Sequence, residues 1–279
     1  LSLRQSRTIA LVTPDCEPDF FAGESLFGYE ILGGIGSGLR ALGYDLLLIH
    51  ASSPDNAWVN AYFDSARVDG FILLSAHTSQ SLVKKLLAQN APFIAWGMPL
   101  PNFRYCTVTG DNITGGTLAT EHLLQTGRQQ IAFIGGPQDD LSVQHRFRGY
   151  ANALQAARRS VVPHNVVYGD YSHASGIVAM QRLLEQSPTL DAVFANSDLM
   201  AVAAIKVIET SGKRVPEDIA VVGYDDVSIA MYNSLPLTTI RQNIALAGQL
   251  LAQNLIQHIQ TGVIINVTTP VELVLRQSA

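Results

Sequence analysis

Hydrophobic and polar positions alternate in blocks along this chain. Nearly continuous Val/Ile/Leu/Phe runs at Thr8–Thr13, Tyr44–His50, Gly70–Ser75, Pro92–Trp96, Gln130–Gly135, Asn165–Gly169, Asp191–Ala195 and Ile219–Tyr224 read as strands. A strand that is apolar at every position, rather than at every second one, has both faces covered, as in a parallel sheet between helices. Helix-length segments separate them, among them Ile113–Thr126, Arg146–Arg159, His173–Gln186 and Asp198–Gly212, the last stopping on Gly212 with Pro216 beyond it. Such alternation predicts an α/β fold with right-handed crossovers. The series runs twice, over residues 8–108 and again over 111–235. Two open parallel sheets flanked by helices would make two similar lobes with a ligand cleft between them, the ligand lying at the carboxyl ends of the strands. A long helix, Ile244–Gln260, and a short β ending, Ile264–Leu275, fall outside that count.

Composition narrows the class. A length of 279 residues suits two domains, at about 100–200 residues each. Charged side chains make up 15% of the chain and hydrophobic ones 47%. The former lies below the ~25% of an average soluble protein, which excludes disorder. With 18 basic against 23 acidic residues the net charge is −5, so these residues are not themselves a basic nucleic-acid module. No apolar run approaches the ~20 residues that span a bilayer, and no membrane association is expected. The two cysteines, Cys16 and Cys106, offer neither a disulfide framework nor CxxC spacing, which fits a reducing compartment. The N-terminal Leu1–Arg7 is neither an initiator methionine nor a signal peptide and reads as a cut end.

Candidate chemistry is sparse. The stretch Gly33–Gly38 lacks GxGxxG spacing, because Leu39 stands where a third glycine is needed, and it lies well past the first strand. A close-packed helix or an irregular turn is the plainer reading. There is no phosphate loop and no GxSxG elbow, and the seven histidines show no HxxxH or HExxH pattern. No metal, cofactor or catalytic residue is therefore expected, and an enzyme ranks last among the function classes. Asp139 and Asp140 read as a solvated loop pair. Asp225 and Asp226 follow the strand Val221–Tyr224 directly. A carboxylate there faces the ligand crevice and can accept from two vicinal hydroxyls; the alternative is a helix cap. Arg146, just inside a helix after the loop 136–144, could bridge two ligand oxygens or be a surface arginine. Tyr171 follows a strand, as do Phe20, Phe21 and Trp96; such rings stack on a sugar or base, or simply pack in a core.

Longer stretches carry a family likeness: Arg40–Ile49 (RALGYDLLLI), Arg67–Ser75 (RVDGFILLS), Thr109–Gly116 (TGDNITGG), Arg128–Pro137 (RQQIAFIGGP), Gly169–Gly176 (GDYSHASG), Val193–Ala201 (VFANSDLMA), Arg214–Asp226 (RVPEDIAVVGYDD) and Pro236–Gln242 (PLTTIRQ). In order and spacing the chain resembles the effector-binding domain of the lactose-repressor (LacI/GalR) family of transcriptional regulators. That resemblance implies a fold like a type-I periplasmic binding protein: lobes of 7–109 with 243–266 and of 112–239 with 269–279, joined by three crossovers near Gly110–Asn112, Ile240–Asn243 and Asn266–Thr269. It matches Arg146 and Asp225 to the family's ligand-binding Arg and Asp, and Tyr171 to an aromatic that packs on the effector. Ser197 matches a position where Asn often contacts ligand, while here Asn196 stands one place earlier; Gln242 closes the PLTTIRQ stretch and joins the candidates. Trp96-Gly97 replaces the Asp-Arg usual after that strand, so this side of the pocket departs from the family pattern.

The function implied is control of operator binding by a small-molecule effector, a sugar first and a purine second, in a cytoplasmic homodimer. The DNA-binding helix-turn-helix would precede residue 1. An exported sugar-binding protein that feeds a transporter is the runner-up.

Overall fold

The computed structural model describes residues 6–13, 25–50, 56–74 and 80–279. In chain order the elements are β1 Thr8–Thr13, α1 Leu26–Ala41, β2 Asp45–His50, α2 Trp58–Phe63, β3 Gly70–Leu73, α3 Gln80–Ala88, β4 Phe93–Trp96 and β5 Cys106–Gly110. They continue with α4 Asn112–Gln125, β6 Ile131–Gly135, α5 Leu141–Ala156, β7 Val166–Tyr168, α6 His173–Gln186, β8 Ala192–Ala195, α7 Asp198–Thr210 and β9 Ala220–Asp225. The chain ends with α8 Ser228–Tyr232, β10 Thr238–Gln242, α9 Ile244–Thr261, β11 Asn266–Thr269 and β12 Val271–Val274.

The chain divides into two compact units. One comprises the described residues up to Gly110 together with Ile244–Thr269; the other comprises Asp111–Asn243 with Pro270–Ala279. In the first, six strands pair in the order β11-β5-β4-β3-β1-β2, all in parallel. In the second the order is β12-β10-β9-β8-β6-β7, with β12 alone antiparallel to its neighbour. Central strands such as β3, β6 and β9 are buried at every position, as the unbroken apolar runs require. In the second unit one face packs Met180, Leu183, Met200, Ile205 and Ile208 under α6 and α7. The other packs Phe133, Tyr150, Phe194 and Tyr224 under α4 and α5.

The glycine run is helical. It lies within α1, where a Cβ on Gly34 would stand 2.3 Å from the Ala245 carbonyl oxygen of α9. The glycines let two helix backbones meet, which is why no phosphate-binding turn appears. Two other expectations need correction. Helix α5 begins at Leu141 rather than Arg146, because Asp140 caps it: its Oδ1 accepts the Ser142 N–H at 2.7 Å. Asp140 is therefore no solvated loop residue. Asp225 caps no helix; Val227 occupies the N-cap of α8 without a side-chain bond. Residues Asn266–Thr269, near which the third crossover is expected, form a strand paired to β5, and the chain changes unit just after them, at Pro270. Strands β5 and β10 were not among the clear sequence strands, since threonines interrupt their apolar pattern.

Candidate functional site

In the second unit the buried polar side chains Asn196, Ser197, Asp225 and Gln242 stand at the carboxyl ends of β8, β9 and β10. The close approach of α4 and α5 sets one wall: a Cβ on Gly116 would lie 2.1 Å from the Arg146 carbonyl oxygen. Arg146 in α5 is consequently only 6% exposed. Its Nε donates to Asn112 Oδ1 at 2.8 Å and its Nη1 to the Asn196 carbonyl at 2.7 Å. The guanidinium carbon stands 3.7 Å from the centroid of the Tyr224 ring, a cation–π geometry. Burial works against its charge, but Tyr224, Tyr171, Asp225 and Asp140 outweigh burial and hold its pKa above the ordinary value. Arg146 is thus a fixed, charged, buried donor and not a surface arginine.

Asp225 ends β9 with φ +113°, and Asp226 follows at φ +61°. Two successive non-glycine residues in the left-handed region cost free energy that only the surroundings can sustain. Those surroundings are specific. Gln242 Nε2 donates to Asp225 Oδ1 at 2.6 Å. Asp226 is clamped by Arg241 Nε and Arg276 Nη2, each at 2.6 Å. The turn aims the Asp225 carboxylate while Asp226 anchors it.

Asn196 follows β8, is fully buried, and has neither amide atom hydrogen-bonded. The Gln242 Oε1 is likewise buried without a partner. Unsatisfied buried polar atoms cost about 1–3 kcal/mol each, so native proteins keep few without a reason. Ser197 is the N-cap of α7, its Oγ accepting the Met200 N–H at 3.3 Å. Tyr171, at φ +70°, is half-buried; its hydroxyl donates to Asp140 Oδ2 at 3.3 Å, and its ring lies where a Cβ on Gly136 would be. Burial, followed by the Asp140 charge, pushes its phenol well above the usual range.

Hydrogen bonds and a ring contact thus bring Arg146, Asn196, Asp225 and Gln242 to the same end of the second sheet. Trp96 belongs to the first unit, at the end of β4, half-buried and 5.8 Å from the ring of Phe27. Phe20 and Phe21 lie outside the described residues. Asn112, Tyr224 and Asp198 escaped the sequence reading, although each stands inside a stretch that carried the family likeness. Among the described residues no group of His, Cys, Asp and Glu could hold a metal, and no helix is long and apolar enough to cross a membrane.

Residues 120–279 match the family model for a periplasmic binding protein-like domain. The HTH-type transcriptional regulator CelR of Thermobifida fusca is 40% identical over 278 residues, a span that covers 99% of this chain and 80% of that protein. This chain belongs to the LacI family of transcriptional regulators. LacI-family membership places it among regulators rather than enzymes. A solved complex of the transcriptional regulator CelR with cellobiose superposes with a TM-score of 0.91 at 37% identity, covering 99% of this chain and 85% of that one. The lac repressor dimer bound to operator and the anti-inducer ONPF gives 0.84 at 27% identity, with 100% and 96% covered. The type-I periplasmic-binding-protein-like architecture of LacI-family effector domains is therefore the architecture of this chain, with two mostly parallel six-stranded sheets.

Proposed function

We propose that this chain is the effector-sensing and dimerising part of a cytoplasmic LacI-family repressor, and that its effector is a sugar, with cellobiose the first candidate. The observation that carries the reading is the incompletely used polar set at the ends of β8, β9 and β10. Arg146 supplies a charged donor, Asp225 a carboxylate, and Asn196 an amide with both atoms unpaired. Gln242 adds a free acceptor. A sugar hydroxyl both donates and accepts, so a polyol satisfies such a mixed set where a purely anionic or cationic ligand would not. The CelR–cellobiose complex supports cellobiose as the first ligand to try. The operator-bound lac repressor dimer supports a homodimer acting on DNA through a separate helix-turn-helix.

Calorimetric titration with cellobiose, glucose, ribose and hypoxanthine tests the reading. Binding is expected with cellobiose and is expected to weaken at least about tenfold, ~1.4 kcal/mol, in Asp225→Asn. Binding of hypoxanthine alone, or of none of the four, overturns the sugar assignment. Sedimentation at micromolar concentration tests the dimer; a monomer favours the exported binding protein.

A further inference from the structure

Asp198 is fully buried at the first position of α7. Its Oδ2 accepts the backbone N–H of Val227 at 2.8 Å, and its Oδ1 is hydrogen-bonded to the Thr239 hydroxyl. Val227 directly follows the strained pair Asp225–Asp226, and Thr239 stands three residues before Gln242 on β10. One carboxyl group therefore ties α7 to both segments that present the Asp225–Gln242 pair. The backbone has been shaped around it: a Cβ on Gly223 would stand 2.4 Å from Asp198 Oδ1.

We propose that Asp198 is a positioning residue for the effector site, a bracket that holds the Asp225–Asp226 turn in its left-handed conformation against β10. This rests on the reading of Asp225 as an effector ligand. The left-handed turn needs an external restraint on each side. Gln242 holds the Asp225 side chain, Arg241 and Arg276 hold Asp226, and Asp198 takes the backbone N–H just past the turn.

The bracket is one carboxyl group with two hydrogen-bond partners on different segments. Both of its oxygens accept, Oδ2 from the Val227 N–H and Oδ1 from the Thr239 hydroxyl. The charged groups around it are Asp225, Asp226 with its two arginines and, beyond Asp225, Arg146. Burial, then the negative charge of Asp225, drives the Asp198 pKa well above the ordinary carboxylate range. An asparagine keeps both contacts, its carbonyl accepting the Val227 N–H and its amide donating to the Thr239 hydroxyl oxygen in place of the native bond from that hydroxyl.

The test compares the wild-type chain with Asp198→Ala, Asp198→Asn and Thr239→Val, using cellobiose titration and hydrogen exchange of the Val227 amide without sugar. Asp198→Ala is expected to weaken cellobiose binding at least about tenfold and to deprotect Val227, while Asp198→Asn stays within about threefold of wild type on both readouts. Unchanged binding and protection in Asp198→Ala overturns the proposal, and so does an asparagine variant as damaged as the alanine one. If the wild type binds no cellobiose, the choice of cellobiose fails and the exchange readout alone decides the bracket. If Asp198→Ala does not fold, Thr239→Val must raise Val227 exchange; an unchanged rate overturns the proposal.

Discussion

The guanidinium of Arg146 lies over the face of Tyr224, its carbon 3.7 Å from the ring centroid. The same group donates to Asn112 from α4 and to the Asn196 carbonyl after β8. Three neighbours from three elements thus fix one planar side chain, and lysine can reproduce neither the fork nor the stack. Arg146→Lys is expected to lower stability by about 2–3 kcal/mol, the sum of a charge-assisted hydrogen bond and a desolvated cation–π contact. Cellobiose affinity is expected to fall at least about tenfold. Differential scanning calorimetry and titration of the same variant measure both; a full-affinity lysine variant would mean that Arg146 is structural only.

The fold was largely legible because parallel strands covered on both faces announce themselves as apolar runs, and β1, β3, β6 and β9 do so without interruption. Strand β10 hid behind Thr238 and Thr239, both fully buried with their hydroxyls hydrogen-bonded inside the protein. No pattern of hydrophobicity reveals a threonine hydroxyl that is satisfied by a distant backbone amide or aspartate. The site was legible in part for the same reason. Arg146 and Asp225 stand at recognisable places, a helix start and a strand end. Asn112, Tyr224 and Asp198 act through partners 34, 78 and 29 residues away in sequence, Arg146 for the first two and Val227 for the third, and only the folded chain brings them together. Asp140 misled because a helix cap and a loop acid look alike until the helix start is known.

Two adjacent glycines of α1 separate helix propensity from packing. Gly34 meets α9, with a Cβ 2.3 Å from the Ala245 oxygen, whereas a Cβ on Gly33 would have nothing within 4 Å. Gly33→Ala is expected to stabilise the chain by about 0.5–1 kcal/mol, since alanine gives up less backbone freedom in a helix. Gly34→Ala is expected to destabilise it by about 1–3 kcal/mol through overpacking. Urea unfolding of the two variants checks the sign; equal shifts would mean that the two helices do not pack as closely as this.

Tyr224 links the site to alkaline pH. Its ring is fully buried and burial pushes its pKa from 10.0 up to about 12, with the Arg146 charge pulling part of the way back. A phenol that holds its proton more tightly when folded is neutral in both states below pH 10. As pH rises from 10 towards 12 the unfolded chain ionises first, so stability falls across that window. The loss from this group approaches about 2–3 kcal/mol at the upper end, at ~1.4 kcal/mol for each pH unit. Tyr150 and Tyr171 are raised in the same direction, so the decline belongs to several phenols. Tyr224→Phe keeps the ring under Arg146 and removes one ionisation. Urea unfolding at pH 8, 10 and 11 should therefore show a shallower decline for the phenylalanine variant than for the wild type, while the two run in parallel below pH 10. Parallel curves across the whole range would mean that the Tyr224 phenol ionises alike in the folded and unfolded chain.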